Sequence, residues 1–162
     1  MTRMAAAVRD IRLRNAQPSD AGAIAALVNQ AFSVERFFVA GDRTDEGEVL
    51  RLMERGGFLC AEVEEELVGC LYLEVRGPRG YFGMLSVSPS RQKAGIGRLL
   101  VERTEAFFRD AGCEAVDIKI VHLRSELPPY YRALGYSEIG TEPFVDDSLT
   151  QAAHFVLMSK PL

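Results

Sequence analysis

The stretch Leu85-Ser86-Val87-Ser88-Pro89-Ser90-Arg91-Gln92-Lys93-Ala94-Gly95-Ile96-Gly97-Arg98 decides how the rest of the chain is read. Its first residues continue a run of strand formers from Tyr81, and Pro89 ends that strand because proline has no N–H to give to a ladder. After the glycines the spacing of apolar residues becomes helical, so the loop carries the chain from a strand into a helix. Unpaired N–H groups and the positive helix end are available there for an anion. Gly95 and Gly97 would let a diphosphate come close to the backbone.

Two phosphate-binding arrangements are excluded. Gly97 is followed by Arg98-Leu99, so the Lys-Ser or Lys-Thr of a P-loop is missing. Position 100 is Leu, so there is no third glycine at dinucleotide-fold spacing.

Downstream, the helix is expected to bury Ile96, Leu99, Leu100, Phe107 and Ala111 and to stop at Gly112. Residues 114–121 then alternate Val116, Ile118 and Ile120 against Asp117 and Lys119, the period of a half-buried strand. Strand, long helix and strand make a crossover, which predicts a parallel pair joined right-handedly. Without a bulge, Leu85 and Val87 lie on one face of the earlier strand, with Phe82, Met84 and Ser86 on the other. Pro128 and Pro129 point to a short helix from about Pro129 to Leu134, closed by Gly135. Two final strands are expected at residues 136–139 and 154–159, with 141–153 between them as a polar loop.

Upstream, Ile11, Leu13 and Ala16 suggest a short strand, and Pro18-Ser19-Asp20 offers N-cap oxygens. Ile24, Leu27, Val28, Ala31 and Phe32 then mark one face of an amphipathic helix. Asp45-x-x-Glu48 has the spacing of a capping box, with Val49, Leu52 and Met53 as the buried stripe. Residues 58–64 and 67–76 read as strands joined by a solvated Glu64-Glu65-Glu66 turn. The fold class is therefore α+β: a mixed, mostly antiparallel sheet with one parallel crossover in its middle.

At 162 residues and 48% hydrophobic content the chain is expected to form one domain, with residues 1–10 as a frayed leader. Nineteen Lys and Arg against 23 Asp and Glu lack the basic surplus that nucleic acid or an anionic membrane would draw on. Cys60, Cys70 and Cys113 have neither zinc-site pairing nor the density of a disulfide scaffold, which fits a reducing cytoplasm and predicts no metal site. His122 and His154 lack a companion at metal-ligand spacing and read as structural histidines.

Leu85-Ser86-Val87 followed by Gln92-x-x-Gly95-x-Gly97 resembles the central element of the GCN5-related N-acetyltransferase (GNAT) family. Tyr130-Tyr131-Arg132-Ala133-Leu134-Gly135-Tyr136 resembles a second element of that family, in the expected order and after the following strand. The likeness extends over about residues 11–160. It implies a GNAT-like sheet whose parallel central strands splay apart, with helices on both sides. It also implies acetyl-coenzyme A as cosubstrate, with its pantetheine arm bonded to the backbone at Leu85 and Val87 like an added strand. Gln92, Lys93, Ala94, Gly95, Ile96, Gly97 and Arg98 would hold the diphosphate.

The activity implied is direct acetyl transfer to an amine of a small molecule or peptide. A backbone N–H near Val87 would stabilise the oxyanion, and Tyr131 would protonate the departing thiolate. The slot filled by a glutamate in histone-type relatives holds Tyr81. Glu74 on the preceding strand is a candidate base acting through water, although a strand glutamate is usually a solvated or salt-bridged face residue. An acceptor of low amine pKa, or a water chain to bulk, would need no dedicated base. The acceptor is expected between residues 32–38 and 141–153, because irregular segments beside a cleft tend to carry specificity. The missing glutamate leaves a second reading, a noncatalytic acyl-CoA-binding regulatory module. A third, modification of charged tRNA, would want a basic face. Exposed terminal strands are compatible with a homodimer.

Overall fold

The computed structural model describes residues 10–92 and 94–162. The first nine residues, which hold nearly all of the expected leader, and Lys93 lie outside it.

Seven strands form one sheet in the order β1-β2-β3-β4-β5-β7-β6. They are β1 (Arg12–Asn15), β2 (Gly57–Val63), β3 (Glu66–Arg76), β4 (Arg79–Val87), β5 (Ala115–Val121), β6 (Ser137–Phe144) and β7 (Ala153–Pro161). Every pairing is antiparallel except β4 with β5. The crossover between those two runs through the long helix, as the strand-helix-strand pattern requires. Helices α1 (Ala21–Ala31) and α2 (Glu46–Met53) cover one face of the sheet, and α3 (Ile96–Asp110) and α4 (Leu127–Ala133) the other.

Each face has its own core. Ile24, Leu27 and Val28 of α1 and Val49 of α2 pack on Phe58, Cys60, Cys70, Tyr72 and Met84. On the opposite face Ile96, Leu100 and Phe108 of α3 meet Leu71, Phe82, Val116, Ile118 and Met158. At α1 the expected capping fails: the Asp20 carboxylate takes the Arg14 guanidinium and the Gln17 N–H and caps no N–H of the helix. At α2 the local signal holds. The Asp45 carboxylate accepts the Glu48 N–H at 2.8 Å to cap α2. Glu64 and Glu65, both at positive φ, make the tight β2–β3 turn.

Four other sequence expectations change. The buried stripe of α3 is Ile96, Leu100, Val101, Thr104, Glu105 and Phe108; Phe107 is half exposed and Ala111 exposed. The stripe turns because Phe108 fills the space over Gly80, where a Cβ would stand 2.5 Å from its ring. Helix α4 begins at Leu127, two residues before the expected start, because prolines in the first helical turn lack only N–H groups that the helix leaves unused. Strands β6 and β7 are longer than read, so the loop between them is only residues 145–152.

The fourth change is in β4. Between Gly83 and Ser86 it carries one residue more than β3 does between Tyr72 and Cys70, and Met84 takes a φ of 55°. This bulge puts Phe82 on the same face as Leu85 and Val87, with Met84 on the other.

Gly80→Ala should destabilise the protein by roughly 1–3 kcal/mol through overpacking against Phe108. Urea unfolding will read the loss, and adding Phe108→Leu to the alanine variant should recover part of it.

Candidate active site

The β4–β5 ladder has only three pairs, Arg79 with Ala115, Gly80 with Val116 and Tyr81 with Asp117. Beyond Tyr81, β4 runs on to Val87 along β3, while β5 runs on to Val121 along β7. The two strands part at this point. Their root is clamped by the Arg79 guanidinium, which donates to both Asp117 oxygens at 2.7 Å and to Ser159 Oγ on β7 at 2.9 Å.

A cavity of about 970 Å³ fills the opening and runs through the sheet. Backbone direction alternates along a strand, and Ser88 gives its N–H to Val68 O toward β3. Leu85 and Val87 therefore turn their own N–H and C=O toward the gap, where Gln92 Nε2 reaches Val87 O at 3.4 Å. Gly95 sits at a φ of 83° as the N-cap of α3, a conformation that favours glycine. A Cβ on Gly97 would meet Tyr130 Oη at 3.0 Å, so the loop passes close under that tyrosine. Leu85, Val87, Gln92, Gly95, Ile96, Gly97 and Arg98 all line this end of the cavity; Ala94 packs against the adjacent core.

The two tyrosines of α4 differ in exposure. Tyr130 is 40% exposed and lines the cavity. Tyr131 is 7% exposed, with its ring 6.1 Å from that of Phe82 and 5.9 Å from that of Tyr136, and it also lines the cavity. Burial holds the Tyr131 hydroxyl well above the ordinary phenol value, so it is a proton donor at neutral pH.

The other end of the cavity lies between residues 32–43 and 144–148. These two segments are tied together. Val39 bridges Leu149, Ala40 N donates to Ser148 O at 2.7 Å, and Thr150 N donates to Phe38 O at 2.9 Å. Beneath the tie Glu35 is 8% exposed and accepts from Arg124 Nη1 at 2.8 Å. Its carboxyl is pushed above the usual range by burial, against the pull of Arg124.

Glu74 does not line the cavity. It lies on β3, held by the Tyr72 hydroxyl and by Arg76 Nε at 2.7 Å, and the Arg76 guanidinium first, then the Tyr72 hydroxyl, lower its pKa. Glu35 is the one buried carboxylate among the described residues that line the cavity. It lies inside the segment expected to frame the acceptor, but no spacing marks it. His122 and His154 stack with ring centroids 3.9 Å apart, and His122 Nδ1 accepts the His154 N–H at 3.1 Å. They fasten the ends of β5 and β7 and lie outside the cavity. Among the described residues no cluster of His, Cys, Asp and Glu could hold a metal, and no helix is long and apolar enough to cross a membrane.

The acetyltransferase (GNAT) family is matched over residues 23–136, a span that includes the parted strands, the glycine loop and both tyrosines. The chain belongs to this family. It is an enzyme of the acetyl-CoA-dependent acetyltransferase class, and the strand edge and glycine loop suit that cosubstrate. Solved structures of the same fold include the ribosomal-protein-S18-alanine N-acetyltransferase from Escherichia coli, at 14% identity and TM-score 0.78 with 93% of each chain covered. A ribosomal-protein-alanine N-acetyltransferase from Brucella melitensis gives 22% identity and TM-score 0.75, covering 93% of this chain and 99% of its own. The yncA protein of Salmonella typhimurium, solved with its cofactor acetyl-CoA, gives 20% identity and TM-score 0.75 with 94% of each chain covered. No curated protein matches the sequence significantly.

The Glu35–Arg124 pair generates a prediction with a definite sign. A carboxyl whose folded pKa is raised contributes stability that is full at low pH and is lost as pH rises through that pKa. Arg124→Met removes the opposing guanidinium and raises the Glu35 pKa further. The stability gap to wild type should be small near about pH 4 and widen to roughly 2–4 kcal/mol at neutral pH. Urea midpoints across that range will measure it, and Glu35→Gln in the same background should flatten the pH dependence.

Proposed function

We propose that the protein is an N-acetyltransferase that moves acetyl directly from acetyl-CoA to an amine inside a ternary complex. The observation that carries the reading is the opening between β4 and β5. One strand edge with unpaired backbone groups, a glycine loop at its end and a buried tyrosine all meet one cavity. The pantetheine arm would lie along Leu85 and Val87 as an added strand. The diphosphate would sit on the loop from Gln92 through Lys93, Ala94, Gly95, Ile96 and Gly97 to Arg98, at the N-terminus of α3.

In the transfer, the amine lone pair attacks the thioester carbonyl carbon and the C–O π bond opens to an oxyanion. A gap-facing N–H at Val87 would stabilise that charge. Collapse restores the carbonyl and breaks the C–S bond. Tyr131 then gives its proton to the sulfur, whose thiol has an ordinary pKa of about 8.5. The new amide nitrogen sheds its proton toward Glu35, the buried carboxylate on the acceptor side. Cys60, Cys70 and Cys113 are buried free thiols outside the cavity, which favours direct transfer over an acetyl-cysteine intermediate. A cytoplasmic location accords with them.

Tyr131→Phe should lower kcat by roughly 100-fold or more while leaving the CoA dissociation constant within about 2-fold. Thiol release and calorimetry with CoA separate the two effects. An equal loss in Tyr130→Phe and none in Tyr131→Phe would reassign the acid. Glu35 must be ionised to accept a proton, so activity should rise with pH through its elevated pKa. In Glu35→Gln that limb of the kcat profile should vanish along with most of the rate. Tight CoA binding without thiol release to any amine would favour the noncatalytic module instead.

A further inference from the structure

The acceptor end of the cavity contains an imbalance in its charges that the chemistry above does not use. Most charged side chains lining it have partners. Glu35 and Glu126 share Arg124 at 2.8 and 2.9 Å, Lys119 meets Glu142 at 3.4 Å, and Asp42 meets Arg36 at 3.2 Å. Arg43 and Asp146 are different. Both line the cavity there, and among the described residues neither has an opposite charge at ion-pair distance, including each other.

Arg43 is positioned despite having no ion pair. Its guanidinium carbon lies 5.6 Å from the centre of the Phe32 ring. Its charge is felt at Glu35, Tyr81 and Asp146. Asp146 is likewise held: its Oδ1 accepts the Ser148 hydroxyl at 2.6 Å and the Ser148 N–H at 2.8 Å. An exposed arginine stacked on a ring, beside a fixed carboxylate it does not touch, leaves two opposite charges facing one space.

The space is also shared. In this reading the same cavity of about 970 Å³ takes the acetylated end of the cofactor together with the acceptor. Its acceptor end is roofed by the hydrogen bonds that join Phe38 and Ala40 to Thr150 and Ser148. Phe144 and Phe155 stack at 4.4 Å to form an apolar side wall.

We infer that the acceptor is a small zwitterion of the free amino acid type, whose carboxylate is bound by Arg43 and whose ammonium group is drawn in by Asp146. This rests on the acetyl-transfer reading above and names its substrate class. A planar guanidinium offers a carboxylate two parallel donors, so it is suited to hold that group and not a second amine. The ammonium gives its first proton to water before it attacks, which leaves the Glu35 carboxylate free to take the second from the new amide nitrogen.

The test uses the full chain with acetyl-CoA and follows thiol release. The acceptors are the common free amino acids, each compared with its C-terminal amide, together with aliphatic diamines and short peptides. For at least one amino acid the free acid should exceed its amide in kcat/KM by roughly 10- to 100-fold, the usual worth of a charged hydrogen-bonded contact. In Arg43→Gln that ratio should fall to near one, whereas Arg103→Gln, on the exposed side of α3 and away from the cavity, should keep it. Asp146→Asn should raise KM more than it lowers kcat. Comparing ratios between variants cancels the different basicity of acid and amide amines.

If amides match or exceed acids, or if only diamines or peptides are acetylated, the zwitterion assignment is overturned and the acetyltransferase reading stands. If no amine at all releases thiol while CoA binds, that reading fails and takes this one with it.

Discussion

A parallel pair of strands that stops after three residue pairs governs the rest of this molecule. Parallel strands inside a sheet normally stay bonded along their length, because every unpaired N–H and C=O in an interior carries a cost. Here the bonding ends at Tyr81 and Asp117, and both strands continue with their outer partners intact. The sheet tolerates the break because each half is anchored separately: β4 to β3 and the α1 face, β5 to β7 and the C-terminal hairpin. The bidentate Arg79–Asp117 pair, extended to Ser159, joins three strands at the root, so the opening has a fixed hinge side and a free side. Backbone polar groups left in the gap are then available to a ligand that brings its own amides.

The two core clusters follow from the same division. Helix α3 fills the face under the gap and carries the glycine loop at its own start, so the element that packs the core also shapes one end of the cavity. Its fit depends on absent side chains, since Gly69 and Gly80 lie under Ile96 and Phe108 with no room for a Cβ. Deeper along the helix, Glu105 accepts from the Tyr136 hydroxyl at 2.7 Å and from Lys160 Nζ at 3.0 Å, which ties the helix to the C-terminal strands. Thr104 Oγ1, fully buried beside it, has no partner among the described residues.

Much of this was legible in the residues. Alternation marked β5, i, i+3, i+4 spacing marked α1, and the Asp45 N-cap started α2 where expected, although Glu48 closes no reciprocal box and accepts from Thr44 Oγ1 instead. The strand-helix-strand order required the parallel pair. What was hidden had local physical reasons. The buried stripe of α3 contains Thr104 and Glu105, polar residues that a search by hydropathy passes over, so apolar spacing selects the half-exposed Phe107 in place of the buried Phe108. The bulge in β4 leaves no mark in a run as ordinary as Phe82-Gly83-Met84-Leu85, because Met84 enters the left-handed region under constraint from its neighbours and not by its own preference. Of the residues that line the cavity, the glycine loop and Tyr131 could be read directly. Glu35 could not, since its partner Arg124 lies 89 residues away and only the closed fold brings them together.

That bulge limits how this position can vary. A backbone at a φ of 55° excludes side chains branched at Cβ far more strongly than unbranched ones, and it is most comfortable with glycine or asparagine. Met84 is therefore an apolar core position at which the most common strand residues, valine and isoleucine, are the least acceptable. Among related chains, drift there would be steered by a torsion angle and not by hydrophobicity, and a sequence profile weighted toward strand propensity would misjudge it.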